Sequence, residues 1–317
     1  MYMKAKLYYS ILTIIVTFSV NAQQLEIYDV DLYETETKES FAFISLSDNY
    51  NVSEHPDSLT IPPSKNHLQI FNLEGKYREQ LLYKTKIKET DNVYIYDYFK
   101  DKLATFKVSQ LEVFACLNFY SSVDEGPFPD YYYMIGFKVD KKRLGGLDDY
   151  YSNSLVYIGN ENPFTKGSVK PLLWKKLPVK EFPPRKMTAE NEKLIHHFET
   201  KIYVFGDAWK AEADGFRFFL RDIIAGDLIY ARWLLVYDTA SNQLILDKMF
   251  VDSEGTMQAP LNYNDKEYPS VNQFAGKLFK NKPPVVFGFE YISFGCPGIT
   301  FLSASEDDLY INCDNRH

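Results

Sequence analysis

Apolar and polar residues alternate with a period of two along much of the chain. From position 111, one side carries Leu111, Val113, Ala115, Leu117 and Phe119, and the other Glu112, Phe114, Cys116, Asn118 and Tyr120. Successive side chains of a strand point to opposite faces, so this segment predicts a strand with one wholly apolar face and one mixed face. Residues 41–46, 68–73, 131–139, 154–158, 230–237 and 285–294 repeat the pattern. At 309–313, Leu309, Ile311 and Cys313 fall on one side and Asp308, Tyr310 and Asn312 on the other, which directs Cys313 toward a core.

The clearest hairpin joins Arg232-Trp233-Leu234-Leu235-Val236-Tyr237 to Gln243-Leu244-Ile245-Leu246 through Asp238-Thr239-Ala240-Ser241-Asn242. Small and polar residues between two β-prone runs fit a loop built on a turn. Tyr96-Asp97 stands at the same spacing before Leu103, and a glycine interrupts an apolar strand at Gly136 and again at Gly288. The two pairs of landmarks suggest an internal duplication, but their offsets disagree and Tyr-Asp is a common way to enter a turn. Coincidence is the simpler account.

One helix stands out. Thr188 caps it, Glu190 and Glu192 suit its positive end, and Leu194, Ile195 and Phe198 form an apolar stripe, with His196, His197 and Lys201 toward the negative end. Ahead of it, residues 166–186 hold Pro171, Pro178, Pro183 and Pro184 among seven lysines and arginines and a single acid, Glu181. Proline at this spacing resists regular structure and marks a boundary. The expected architecture is therefore mainly β: two sheet-based units of sandwich- or propeller-like antiparallel sheets, at 23–165 and 187–317, joined by a basic Pro-rich connector, with one short amphipathic helix in the second.

The first 22 residues differ from the rest. Lys4 and Lys6 precede an apolar run from Leu7 to Val20, and Ala22 stands at a cleavage position before Gln23. A basic start, a short apolar stretch and a small residue at the cut define a secretory signal peptide. The run is too short and too rich in Ser and Thr for a membrane span, which needs about 20 apolar residues, and no second such stretch follows. A secreted or periplasmic protein without a membrane span is expected.

Loss of the leader takes the formal charge from −8 to −10. That balance disfavours nucleic acid and anionic membrane as partners, since both require a basic face. Aromatic residues make up 16% of the chain, nearly all Tyr and Phe. Such residues fit a pleated, half-buried surface, and sheet formation accounts for the excess before exposed sugar platforms need to be invoked.

Export permits a disulfide. Of Cys116, Cys296 and Cys313, the last two are near in sequence. A Cys296–Cys313 bridge closing that loop is worth about 3 kcal/mol by chain entropy and leaves Cys116 as a buried free thiol. An odd count keeps Cys116–Cys296 open as the alternative.

Motif-bearing enzyme classes find no support. There is no Gly-x-Ser-x-Gly elbow, no phosphate-cradling loop (Val271 and Leu278 stand where its glycine and hydroxyl belong around Gly276-Lys277) and no Gly-x-Gly-x-x-Gly. Glu192 and His196 share a helix face but lack a third metal ligand, so a helix-end ion pair is the better account. Cys296 has only the terminal His317 as a nearby base. Loop acids such as Asp124, Glu125, Asp148, Asp149, Asp252, Glu254 and 306–308 suit a carboxylate-dependent hydrolase, a calcium loop or an ordinary surface equally well.

The sequence thus points to an exported, non-catalytic binding or interaction protein without cofactor or metal, with a glycan or an envelope protein as candidate partner. Trp209, Trp233, Asp148 and Asp149 are the candidate ligand contacts. A secreted carboxylate-dependent hydrolase of an envelope or environmental polymer is the alternative, and a structural envelope component a third. Protein recovered after export is expected to begin at Gln23, which N-terminal sequencing checks; a chain beginning at Met1 would remove the compartment argument.

Overall fold

The computed structural model describes residues 25–35, 38–46, 61–62, 64–118, 126–196, 203–263, 271–293 and 295–313. The leader at 1–22 lies outside them, as do Phe119, Tyr120, Asp124, Glu125, His197, Phe198, Lys201 and His317.

The protein is mainly β. A nine-stranded sheet runs in the order Val169–Pro171, Phe274–Gly276, Val285–Phe287, Gly298–Phe301, Leu309–Asn312, Ile27–Tyr28, Ser154–Gly159, Asn92–Asp97 and Lys102–Lys107. A five-stranded N-terminal sheet orders Asp31–Glu34, Ser40–Ser45, Tyr133–Val139, Glu112–Leu117 and Ile70–Asn72. A five-stranded C-terminal sheet is the meander Lys175–Leu177, Tyr203–Ala213, Phe216–Ala225, Leu228–Asp238 and Leu244–Val251, and Thr256–Gln258 pairs with Glu290–Ile292. Among the described residues, pairing is antiparallel except where Ile27–Tyr28 runs parallel to the strand Leu309–Asn312, with Ile27 opposite Ile311.

That parallel pair joins strands from both halves of the chain into one sheet, and alternation then assigns its two faces. Ile27 pairs with Tyr157 as well as Ile311, and Tyr157 with Tyr94, so these four share a face. They build one core with Tyr96, Leu155, Phe164, Phe274, Phe279 and Phe301. On the opposite face, Tyr28, Val93, Ile95 and Val156 pack against Ala42, Ile44, Val113, Ala115 and Phe137 of the N-terminal sheet. Ala275 and Val286, further along, pack against Phe218, Leu220, Leu234 and Val236 of the C-terminal sheet. The central sheet is thus covered by different partners at its two ends, and each partner finds an apolar row because the period of two presents one.

The strand Glu112–Leu117 carries Val113, Ala115 and Leu117 into this main core. Its mixed side is buried as well: Cys116 and Phe114 lie with Tyr33, Phe41, Phe43 and Met134. Cys116 is the free, buried thiol expected, and burial pushes its pKa well above the usual thiol range. Residues 285–294, read as one strand, break into Val285–Phe287 and Glu290–Ile292. The break falls at Gly288, whose φ is +85° and whose added Cβ would sit 1.9 Å from the Asn272 carbonyl oxygen, so only glycine fits.

The hairpin around 238–242 forms with Tyr237 opposite Leu244. Asp238 Oδ1 accepts hydrogen bonds from the Ser241 amide (2.6 Å) and hydroxyl (2.7 Å), and Asn242 supplies the left-handed residue. The hairpin after Tyr96-Asp97 belongs to the central sheet instead, and Gly136 lies within a strand of the N-terminal sheet whereas Gly288 falls in the break between two strands.

The basic stretch 166–186 contributes the strands Val169–Pro171 and Lys175–Leu177 at the edges of two sheets. An edge strand has one unpaired side, which is where proline is tolerated. Two α-helices occur among the described residues. The helix expected after Thr188 is α2 (Ala189–His196), where the Asn191 amide donates to Thr188 Oγ1 (3.1 Å) and Ile195 packs onto the C-terminal sheet. The other, α1 (Lys76–Thr85), has no apolar stripe in sequence: it buries only Leu81 and Leu82, which are adjacent. Its anchor is polar, since Arg78 forms a bidentate pair with Glu89 (2.7 Å each) and donates to the carbonyls of Leu111 and Val108.

Two ion pairs predict opposite sensitivities. Arg232 and Asp222 are cross-strand partners in the C-terminal sheet, each 5% exposed, and Trp209 Nε1 also donates to Asp222. Removing one member of a buried pair strands the other charge, so Asp222→Ala is expected to cost about 3–5 kcal/mol. The Lys138–Glu39 pair has its carboxylate open to solvent, and Glu39→Gln is expected to cost less than about 1 kcal/mol. Urea denaturation of the two variants checks the ranking.

Candidate ligand cavity

A cavity of about 350 Å³ opens at one end of the central sheet, over the strand ends Phe287-Gly288, Pro297-Gly298 and Ser154-Leu155. Lys248, Met249 and Phe250, from the last strand of the C-terminal sheet, and Phe289, Glu290 and Ile292 complete the wall. Each lining group is placed by sheet pairing. Asp29 follows the short strand Ile27–Tyr28, and its amide donates to the Asn312 carbonyl (2.9 Å), which sets it beside Cys313. Cys313 is bonded to Cys296, with Cα atoms 5.6 Å apart, and this is the bridge expected from spacing. The bond ties the loop carrying Cys296 to the end of the last strand, so Pro297 and Gly298 are held where they line the cavity.

The polar groups fall into two sets. Lys248 is fully engaged: its ammonium donates to Thr300 Oγ1 (2.8 Å) and pairs with Asp308 Oδ2. Asp29 and Glu290 join no ion pair among the described residues. Asp29 Oδ1 accepts only from the Val30 amide (2.8 Å). Burial raises the Asp29 carboxyl to about 6, against the pull of that amide. Burial likewise raises Glu290 to about 7; Lys248 opposes the shift and the charge of Asp252 adds to it. Tyr98, on the same wall, has its phenol driven well above its ordinary range by burial and then by the charges of Asp29 and Asp97. Ser154 is 4% exposed, lines the cavity and has no hydrogen-bond partner for its Oγ.

The residues singled out in sequence lie elsewhere, and none of the four lines this cavity. Trp233 is 3% exposed, donates Nε1–H to Asp247 (2.8 Å) and packs on Phe182, so its ring faces the core. Trp209 is half-buried, its Nε1–H held by Asp222 and Lys176 set 5.8 Å from its ring. Asp148 caps a turn: its Oδ1 accepts from the Tyr150 amide and its own amide donates to Asp97. Asp149 is exposed. No group of three or more His, Cys, Asp or Glu side chains positioned to hold a metal occurs among the described residues.

Of the cavity's own groups, sequence reasoning named Asp308, Tyr310, Ile311, Cys296 and Gly288. Asp29, Lys248 and Glu290 carry no local signature, because they come from three separate regions of the chain and meet only through the sheets. No protein-family model, curated protein or solved structure matches this chain.

A carboxyl with a raised pKa holds its proton more tightly when the protein is folded, so its stability contribution is present below about pH 4 and lost as pH rises through 6 to 7. The melting temperature is expected to fall between about pH 5 and about pH 7.5. In an Asp29→Asn, Glu290→Gln double variant the fall should be smaller. A decline of equal size in both proteins, measured by calorimetry, would show that these carboxyls do not carry it.

Proposed function

We propose that the protein is an exported, non-catalytic binding protein that takes a small ligand into the cavity at the end of its central sheet. The observation that carries this reading is the buried, unpartnered Ser154 hydroxyl on the cavity wall. A buried hydroxyl without a partner costs about 1–3 kcal/mol, and a ligand atom that bonds it recovers that cost. The volume suits a small molecule, and apolar walls with a few convergent polar groups are the usual character of such sites. The N-terminal signal pattern supports export. A disulfide and the lack of any described helix able to cross a membrane are compatible with an extracellular or periplasmic location.

One observation favours the hydrolase as a second reading. Asp29 and Glu290 share the cavity, and desolvation raises both carboxyls toward the neutral range that general acid–base chemistry uses. A hydrolase would lose all activity in either amide variant, whereas a binding protein would show no turnover with any substrate.

A thermal-shift screen of the mature protein against small sugars, amines and carboxylates tests the binding reading. At least one class is expected to raise the melting temperature in a saturable way, by about 2.7 kcal/mol of added stability at a hundredfold excess over Kd. Ser154→Ala should weaken that ligand while leaving the free protein as stable or more so. Ligand binding with unchanged affinity in Ser154→Ala would move the site away from this wall.

A further inference from the structure

The charge count of the cavity restricts what it can hold. Three carboxyl groups, from Asp29, Glu290 and Asp308, line it against one cation, Lys248. Lys248 is already committed to Asp308 and Thr300 and reaches Glu290 only through space, so the half-buried carboxyls of Asp29 and Glu290 join no ion pair among the described residues. Asp252 near Glu290 and Asp97 near Tyr98 add negative charge behind the wall. An anionic ligand would enter a negative field with no free cation to receive it. A neutral ligand would leave both carboxyls to hold their protons, with no charge on the ligand for either to meet.

We infer that the cavity takes a small organic cation, its ammonium placed against the carboxyls of Asp29 and Glu290 and its carbon skeleton against Tyr98, Phe250 and Phe287. The inference rests on the proposed binding role and names the ligand class for that same site. Opposite charge within hydrogen-bond reach favours the ionised carboxylate, and an aromatic face adds attraction for a cation. Tyr98 is held edge-on to Phe274 and Phe287, at 5.0 and 5.1 Å between ring centres, which fixes it as a rigid wall. The three carboxyls that line the cavity form no group positioned to hold a metal ion among the described residues, and an organic cation suits their spread better than a bare metal ion.

Binding then depends on pH in a defined direction. Below about pH 6 Asp29 takes up its proton and the attraction is lost; Glu290 does so from about pH 7 downward. The charged and titratable groups that face them are Tyr98, Asp97, Lys248, Asp308 and Asp252.

Cyclohexylamine, cyclohexanol and cyclohexanecarboxylate share one skeleton and differ in charge, and titration calorimetry on the mature protein compares them. The amine is expected to bind, at least about tenfold more tightly than the alcohol, with its affinity falling about tenfold between about pH 7.5 and about pH 5. Asp29→Asn should lower amine affinity about tenfold and remove most of the pH dependence. Because the folded site already favours an uncharged carboxyl, the amide variant is expected to fold; Glu290→Gln provides the same reading from the other wall. Equal or tighter binding of the alcohol or the carboxylate overturns the cation assignment while leaving a ligand-binding cavity in place. Lack of binding by all three also overturns it, and the wider screen of sugars and carboxylates then decides separately whether the cavity holds any ligand.

Discussion

Two residues at the beginning of the described chain, Ile27 and Tyr28, lie parallel to Ile311 and Asn312 near its end, and the other sheets are arranged around that pairing. Without it the central sheet would be two pieces, one formed by strands from residues 92–159 and one by strands from residues 169–312. Hydrogen bonding between main chains at such separation forms only when the intervening chain has ordered, so it gains from every hairpin that precedes it. The Cys296–Cys313 bond reinforces the same place from one side, by fixing the loop before Gly298 to the last strand.

The cavity lies where strand ends from both halves meet. Sheet ends are positions where the regular pairing of backbone groups stops, and the side chains that follow are free to serve other purposes. Here the strand ends supply Asp29, Ser154, Gly288 and Gly298, and the neighbouring sheet supplies Lys248. The result is a pocket whose framework is rigid while several of its polar groups remain unpaired.

Buried charge is treated differently elsewhere in the molecule. Asp222 is met by Arg232 and Trp209. Asp97, fully buried, accepts from the amides of Phe99, Lys100 and Asp148. Asp247 receives Trp233, Asn191 and Arg185. Asp29, with the Val30 amide, and Glu290, without an ion-pair partner among the described residues, are half-buried and less fully met than these three aspartates. Exceptions of this sort cluster at functional sites because desolvation there is offset by what binds.

Much of the fold was legible along the chain, because alternation with a period of two depends only on neighbouring residues. The strands near 41–46, 131–139, 154–158 and 230–237, the hairpin at Asp238, the helix after Thr188 and the Cys296–Cys313 bridge all follow from local pattern or short spacing. Helix α1 was not legible, since a polar anchor from Arg78 to Glu89 and two carbonyls replaces the apolar stripe. Trp233 is buried and Trp209 half-buried, and nothing in their neighbours' identities reveals the Asp that receives each indole. The sequence by itself determined that the chain is built of amphipathic strands and which cysteines are near enough to bridge. Only the tertiary structure decided that residues 29, 248 and 290 line one cavity, because their proximity comes from strand pairing across the full length of the chain and leaves no periodic trace in any one segment.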